Sequence, residues 1–158
     1  MKERNTLSRL VAIHPFLSGV KPSIRRLFCQ CATLQRFSEG QILFSEGSPA
    51  ERFYLINSGQ VLLEVAVPDR EMLTIEAVGA GQALGWSWFF PPFQWRFTAT
   101  AVQPTETIVF AAKALREQAE LHQKFCHELV VRLGDVLAGR LEDVRTRLIY
   151  ASQQRVAS

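Results

Sequence analysis

The sequence predicts a mainly β domain with helices at both ends, and three observations carry that reading. Apolar residues recur at helical spacing near the start. Short runs rich in β-branched and aromatic residues fill the middle between turn residues, and a long proline-free helical pattern closes the chain. With 158 residues, 47% hydrophobic and 21% charged, there is enough chain for one core without disulfides or a structural metal.

The elements follow in order within one domain spanning residues 1–158. Residues 1–32 form a helical segment, in which Pro22 suits a helix N-terminus and Ile24, Leu27, Phe28 and Cys31 follow at three- and four-residue spacing. Residues 33–110 form the β part. Its runs are Leu34–Phe37, Gln41–Phe44, Phe53–Ile56, Val61–Val67, Met72–Ala77, Trp95–Val102 and Thr107–Phe110. Turn signals such as Glu39-Gly40, Glu46-Gly47-Ser48-Pro49, Asn57-Ser58-Gly59 and Gly79-Ala80-Gly81 separate them, which implies a sandwich or roll.

Residues 111–155 return to the helical period. Val130, Leu133, Leu137, Leu141, Val144, Leu148 and Ala151 are spaced 3, 4, 4, 3, 4 and 3, an average of 3.5 residues. That is the repeat of a coiled-coil seam rather than of a straight helix packed on one core. A helix from residue 122 to 150 would be about 45 Å long, longer than a small roll is wide. Part of the stripe therefore needs a second surface, and a homodimer through this helix is expected. Gly134 and Gly139 weaken the same helix and favour some fraying.

Charge narrows the function classes. Residues 1–36 carry seven Lys/Arg against one acid, residues 37–112 carry three against eight, and residues 113–158 carry eight against six. The β part has the wrong sign for a nucleic-acid-binding face, and the basic N-terminal stretch reads as a solvated surface. Residues 77–95 lack charge but contain Gly79, Gly81, Gly85, Pro91 and Pro92, which no lipid-exposed helix would tolerate. Three cysteines cannot all pair, so a reducing, cytoplasmic setting is expected.

Several segments together resemble a known family. His14-Pro15-Phe16-Leu17, Phe37-Ser38-Glu39-Gly40-Gln41-Ile42-Leu43-Phe44, Glu46-Gly47 and Phe53-Tyr54-Leu55-Ile56-Asn57-Ser58-Gly59-Gln60-Val61 are similar, in order and spacing, to the cyclic nucleotide-binding domain. This is the module of catabolite-activator and fumarate-nitrate-regulator transcription factors, of kinase regulatory subunits and of gated channels. The resemblance covers about Leu10 to Leu148. It implies a double-stranded β-helix, a jelly-roll-like β-roll, with N-terminal helices and a long C-terminal helix.

The family's phosphate-binding cassette is a Gly-Glu-(Leu/Ile) opening a short helix, followed about ten residues later by an Arg and small residues. There the helix N-terminus and the Arg hold the cyclic phosphate, while the Glu takes a ribose hydroxyl. This sequence has Leu84-Gly85-Trp86-Ser87-Trp88: Gly85 is kept and Trp86 stands at the Glu position. For the Arg two alignments are open. One puts Trp95 at the Arg position, so that Trp95, Phe97, Ala99 and Ala101 line the pocket while Arg96, Thr98 and Thr100 face away. The other keeps Arg96 as the phosphate ligand. With the Glu missing, ordinary cyclic AMP or GMP binding is not expected, and no other cofactor is implied.

Aromatic residues replace the polar ligands. Residues 85–97 hold Trp86, Trp88, Phe89, Phe90, Phe93, Trp95 and Phe97, including all three tryptophans. The Gly-Trp-Ser-Trp sequence followed by two prolines resembles a group of stand-alone, single-domain relatives. The rings either plug the former pocket as core or line an apolar ligand site against the terminal helix. On a short helix Trp86 and Trp88 would diverge, which predicts Trp95 as a plug packed against Phe97 and the terminal helix, and Trp88 as partly exposed.

Other constellations carry no chemistry. Cys29-x-Cys31 has neither metal nor redox spacing, and with Cys126 it reads as free thiols. His122 and His127 do not share a helix face, and no triad or phosphate-binding Gly-Lys loop is present. The resemblance would place a DNA-reading winged helix after the long helix, but few residues follow it here, so direct DNA binding is not expected. The expectation is a non-enzymatic regulatory sensor, dimeric and acting through a partner protein. The alternatives are a dimerisation scaffold with a plugged pocket, and a true cyclic nucleotide receptor using Arg96. The site residues are Gly85, Trp86, Ser87, Trp95, Arg96, Phe97, Thr98 and Ala99, with no metal.

Overall fold

Eight short strands form two antiparallel four-stranded sheets, ordered β1-β8-β3-β6 and β2-β7-β4-β5, in the computed structural model, which describes residues 1–157. Helix α1 (Lys2–Ile13), a 3-10 turn (Pro15–Leu17) and helix α2 (Pro22–Gln30) precede them. The strands are β1 (Ala32–Phe37), β2 (Ile42–Phe44), β3 (Arg52–Ser58), β4 (Gln60–Val65), β5 (Leu73–Gly79), β6 (Ala83–Leu84), β7 (Thr98–Ala101) and β8 (Thr105–Ala111). Helices α3 (Ala112–Leu121) and α4 (Gln123–Ala157) follow. The expected β-roll with flanking helices is therefore present. The run expected over Trp95–Val102 is shortened, because residues 95–97 lie outside the regular strand.

The turn glycines act as the sequence requires. Gly59 joins β3 to β4 at φ +96°, and a Cβ there would come within 2.5 Å of the Pro104 carbonyl oxygen. No L side chain fits that conformation and that space together.

An aromatic chain ties the helices to the roll. Phe16 packs on Phe53 at 5.3 Å, Phe53 on Phe110 at 5.8 Å, Phe110 on Phe28 at 6.0 Å and Phe28 on Phe125 at 4.5 Å. These rings come from the 3-10 turn, β3, β8, α2 and α4, so one buried stack joins both helical ends to one sheet. His14 fixes the N-terminal segment beside it. Its Nε2 donates to the Ile56 carbonyl at 2.9 Å and its Nδ1 accepts from the Phe16 N–H at 3.2 Å, an arrangement that needs the neutral ring. Burial pushes its pKa below the usual value, against the raising effect of the Ile56 hydrogen bond.

Helix α4 packs on the roll at one end, and its other end is exposed over the described residues. Phe125, Leu129 and Leu133 enter the core, whereas every described residue from Leu141 onward is exposed. Arginines tie its middle to the 3-10 turn and to both sheets: Arg132 donates to the Phe16 carbonyl at 2.7 Å, Arg140 to that of Ala83 at 3.0 Å, and Arg147 to that of Ile75. Gly134 and Gly139 lie within unbroken helix, so the described residues show no fraying there.

The seam expectation is corrected at one position. Leu133 is 1% exposed and packs within its own chain, so it is not free for a partner. Replacing it by exposed Gly134 gives Val130, Gly134, Leu137, Leu141, Val144, Leu148 and Ala151, an unbroken alternation of 4 and 3. Val130, Leu141, Val144 and Leu148 are 48–70% exposed.

Two outcomes follow from this architecture. Gly59→Ala is expected to lower stability by about 1–3 kcal/mol in denaturant melts, since it forces strain on a turn that has no space to relax. His14 binds protons more weakly folded than unfolded, so its contribution is complete above about pH 6.5 and declines as pH falls below it. Thermal melts between pH 7.5 and 5 should show a steeper acid loss in the wild type than in His14→Gln, and parallel curves would count against this role.

Candidate functional site

The segment after β6 determines what the cassette can hold. Gly85 follows β6 at φ +91°, and a Cβ on it would lie within 2.6 Å of Trp95 Cη2. The Trp95 indole therefore lies in the space that a side chain at position 85 would need. It is 4% exposed, stacks on Phe44 with centroids 3.7 Å apart at 10°, and meets Tyr54 at 6.4 Å. Backbone bonds fix this placement: the Trp95 N–H donates to the Ser48 carbonyl at 2.9 Å, and the Trp95 carbonyl accepts from the Gly47 N–H at 2.7 Å. Pro49 and Gln94 form an isolated bridge beside them.

With Trp95 pinned inward, the next side chain turns out. Arg96 is exposed, its Cζ lies 5.8 Å from the centroid of the half-buried Trp86 ring, and it lines a shallow surface opening with Glu46, Gly47 and Gln94 on the outer side of Trp95. Phe97 and Thr98 are half-buried, and the Thr98 Oγ1 accepts from the Glu46 N–H at 3.0 Å. Ala99 and Ser87 are buried.

Two expectations about the tryptophans are corrected. The short helix after Gly85 is replaced by a single turn over Ser87–Phe89, closed by the Phe89 N–H on the Trp86 carbonyl at 3.1 Å. Trp88 is consequently fully buried rather than partly exposed, packed on Phe53 at 5.0 Å, with its carbonyl held by Arg116 Nη1 at 2.7 Å. The part-exposed ring is Trp86. In place of the expected Phe97 and terminal helix, the ring partners of Trp95 are Phe44 and Tyr54, over the bare Gly85 backbone. Without a helix at this point, the cassette has no helix N-terminus to offer a phosphate.

An opening does exist elsewhere between the roll and α4, and the sequence reading missed it. A cleft of about 750 Å³ lies between β5–β6 and the helix, with Glu76, Val78 and Ala83 on one wall and Ala138, Gly139 and Arg140 on the other. Arg140 spans it, paired with Glu76 at 3.2 Å, and its buried Nη1 has no partner among the described residues. The available signal was the small residues Ala138 and Gly139 directly before Arg140, with Gly134 about one and a half turns earlier on the same helix.

The cysteines stand apart from both places. Cys29, Cys31 and Cys126 are free and half-buried, and burial pushes the Cys29 and Cys31 thiols above their usual range. Among the described residues no group of three or more His, Cys, Asp or Glu is placed to hold a metal, and no helix is long and apolar enough to cross a membrane.

Comparison with known proteins agrees with this architecture. A CRP-like cAMP-activated global transcriptional regulator of Mycobacterium tuberculosis is 24% identical over 131 residues, which is 80% of this chain and 58% of the regulator. The chain thus spans less than two thirds of that relative's length. The structure of a cyclic nucleotide-binding protein from Geobacter metallireducens superposes with a TM-score of 0.75 at 22% identity, covering 84% of this chain and 96% of that one. A cyclic nucleotide-binding domain from Methylobacillus flagellatus gives 0.79 at 21% identity, covering 95% and 84%. The family model of the cyclic nucleotide-binding domain matches residues 34–122, more than half of the sequence, from within β1 to the end of α3, and the chain belongs to that family.

Proposed function

We propose that the chain is a non-enzymatic regulatory sensor of the cyclic nucleotide-binding type that does not hold cyclic AMP or GMP in the family's usual way. The observation that carries this is the Trp95 indole stacked on Phe44 against the bare backbone of Gly85. An anionic phosphate needs free N–H groups or a guanidinium in a partly dry hollow. Here the hollow holds an apolar ring, Trp86 offers no carboxylate for a ribose hydroxyl, and Arg96 lies outside. Loss of one charge-assisted phosphate contact costs roughly 100-fold in affinity. The ligand site in this reading is the cleft between β5–β6 and α4, and the output is a dimer that engages a partner protein.

A second reading is favoured by the same plug. If the cleft takes no small molecule, the chain is a dimerisation scaffold whose former pocket is simply core. Both readings keep the seam along α4, where Val130, Leu141, Val144 and Leu148 leave an apolar stripe in water.

Titration calorimetry with cyclic AMP and cyclic GMP up to millimolar concentration is expected to show no saturable heat. A dissociation constant in the low micromolar range would overturn the plugged-cassette reading. Trp95→Ala should cost about 3–5 kcal/mol in denaturant melts, the usual range for removing a large buried ring. For the seam, Leu141→Glu places a charge where two apolar stripes would meet. Light scattering at micromolar concentration should give a dimer mass for the wild type and a monomer mass for the variant, with an unchanged circular dichroism spectrum. A monomeric wild type would remove the dimer from the proposal.

A further inference from the structure

We infer that the cleft between β5–β6 and α4 takes a small organic cation bearing a hydrogen-bond acceptor, the opposite charge class to a cyclic nucleotide. The inference rests on the reading of this cleft as the ligand site, and it concerns which chemistry the cleft selects. Four acids and two bases line the opening: Glu76, Glu128, Asp135 and Asp143 against Arg132 and Arg140. Both bases are already engaged. Arg132 pairs with Glu128 at 3.2 Å and Arg140 with Glu76 at 3.2 Å, and each also donates to a backbone carbonyl. Neither Asp135 nor Asp143 closes an ion pair among the described residues, although Asp143 acts on the Arg140 guanidinium together with Glu76, and by count the lining holds four carboxylates against two guanidiniums.

The placement of those two carboxylates is informative. Asp135, Gly139 and Asp143 are four residues apart in succession on α4, so they lie along one helix face, with the acids about 12 Å apart. Between them Gly139 leaves the helix surface bare, and a Cβ built there would meet nothing within 4 Å. The opposite wall contributes the apolar side chains of Val78 and Ala83. A flat or extended apolar body fits over Gly139, with a cationic end reaching either acid. The acceptor requirement comes from an independent observation: Arg140 lines the same cleft, and its buried Nη1 donor is unpartnered. An uncompensated buried donor is costly, and a ligand acceptor would satisfy it. A cleft with low-dielectric walls and one excess sign of charge concentrates counter-ions of the other sign and repels anions.

Two fluorescent probes of opposite charge test this directly. Dansylcadaverine carries an ammonium and sulfonyl acceptors on an aromatic body, whereas anilinonaphthalene sulfonate carries an anionic group on a similar one. Each is titrated into the full chain, into Gly139→Leu, which fills the cleft, and into the double variant Asp135→Asn/Asp143→Asn. Circular dichroism confirms that each variant folds. The expected result is saturable dansylcadaverine binding that Gly139→Leu abolishes. The double variant should weaken it roughly tenfold, by an amount that shrinks at high salt. Anilinonaphthalene sulfonate should show no component sensitive to Gly139→Leu. If instead the anionic probe, and not the cationic one, loses binding in Gly139→Leu, the cleft remains the ligand site but the cation class is wrong. If neither probe responds to Gly139→Leu, the cleft is not a ligand site and the sensor reading fails with it.

Discussion

The absence of a side chain at position 85 and the presence of an indole at position 95 are two sides of one constraint. Any Cβ on Gly85 would overlap Trp95, and the left-handed backbone at Gly85 keeps the chain turning away from β6 so that the indole has room. Trp95 in turn stacks on Phe44 from β2 and meets Tyr54 from β3, strands that belong to different sheets. The indole is thus a bridge between the two sheets at the place where the family resemblance expects a small charged ligand. An apolar ring of that area, buried against aromatic faces, stabilises the roll without a ligand. The roll does not need an anion in that hollow to be complete.

The way α4 is held differs in kind from the way the sheets are held. Its first turns use Phe125, Leu129 and Leu133, with Val136 packed at the edge of the core, whereas farther along the attachment is by Arg140 and Arg147 donating to the carbonyls of Ala83 and Ile75, after Arg132 has taken that of Phe16. Long polar side chains hold two surfaces at a distance, whereas interdigitated apolar residues draw them together. That is the physical reason a cleft survives beneath Gly139 while the aromatic chain a few turns earlier is closely packed. Beyond Arg140 the apolar residues Leu141, Val144 and Leu148 are exposed rather than packed on the roll.

Much of the fold was legible in the sequence because its signals are local. Gly59 marks a turn that only glycine fits, short apolar and β-branched runs between turn residues mark the strands, and a long proline-free helical pattern marks α4. The site was legible only in part. Of the two alignments the sequence left open, the one with Trp95 inward and Arg96 outward matches the directions here, imposed by backbone bonds to Gly47 and Ser48 although residues 95–97 are not regular strand. Trp88 was misread because its direction depends on helix or turn, and nothing in Trp86-Ser87-Trp88 distinguishes the two; Arg116, far along the chain, takes the Trp88 carbonyl. Leu133 and Gly134 were exchanged in the seam for a related reason. Hydrophobicity alone favours the leucine, while the rotation of α4 on the roll assigns the leucine to the core and the glycine to the stripe. The cleft left a weaker trace still, since Gly134, Ala138 and Gly139 read equally as helix weakening and as room for a ligand.

The cleft and the apolar stripe share the same turns of one helix, and this limits how independent they can be. Arg140 and Arg147 immediately precede Leu141 and Leu148, so each guanidinium that grips the roll is one residue from a side chain of the exposed seam. A helix transmits rotation about its axis over several turns because its backbone hydrogen bonds are stiff compared with side-chain contacts. Any molecule that competes for Glu76 or supplies an acceptor to Arg140 therefore acts on the bonds that set the rotation of α4. A rotation of one residue's arc, about 100°, would bury Arg140 in the stripe or turn Leu141 toward the roll. Much smaller adjustments suffice to change how well Leu141, Val144 and Leu148 align with a second surface, since seam packing tolerates little misfit. In the proposed sensor, occupancy of the cleft would be coupled to the geometry of the seam through the arginine clasp.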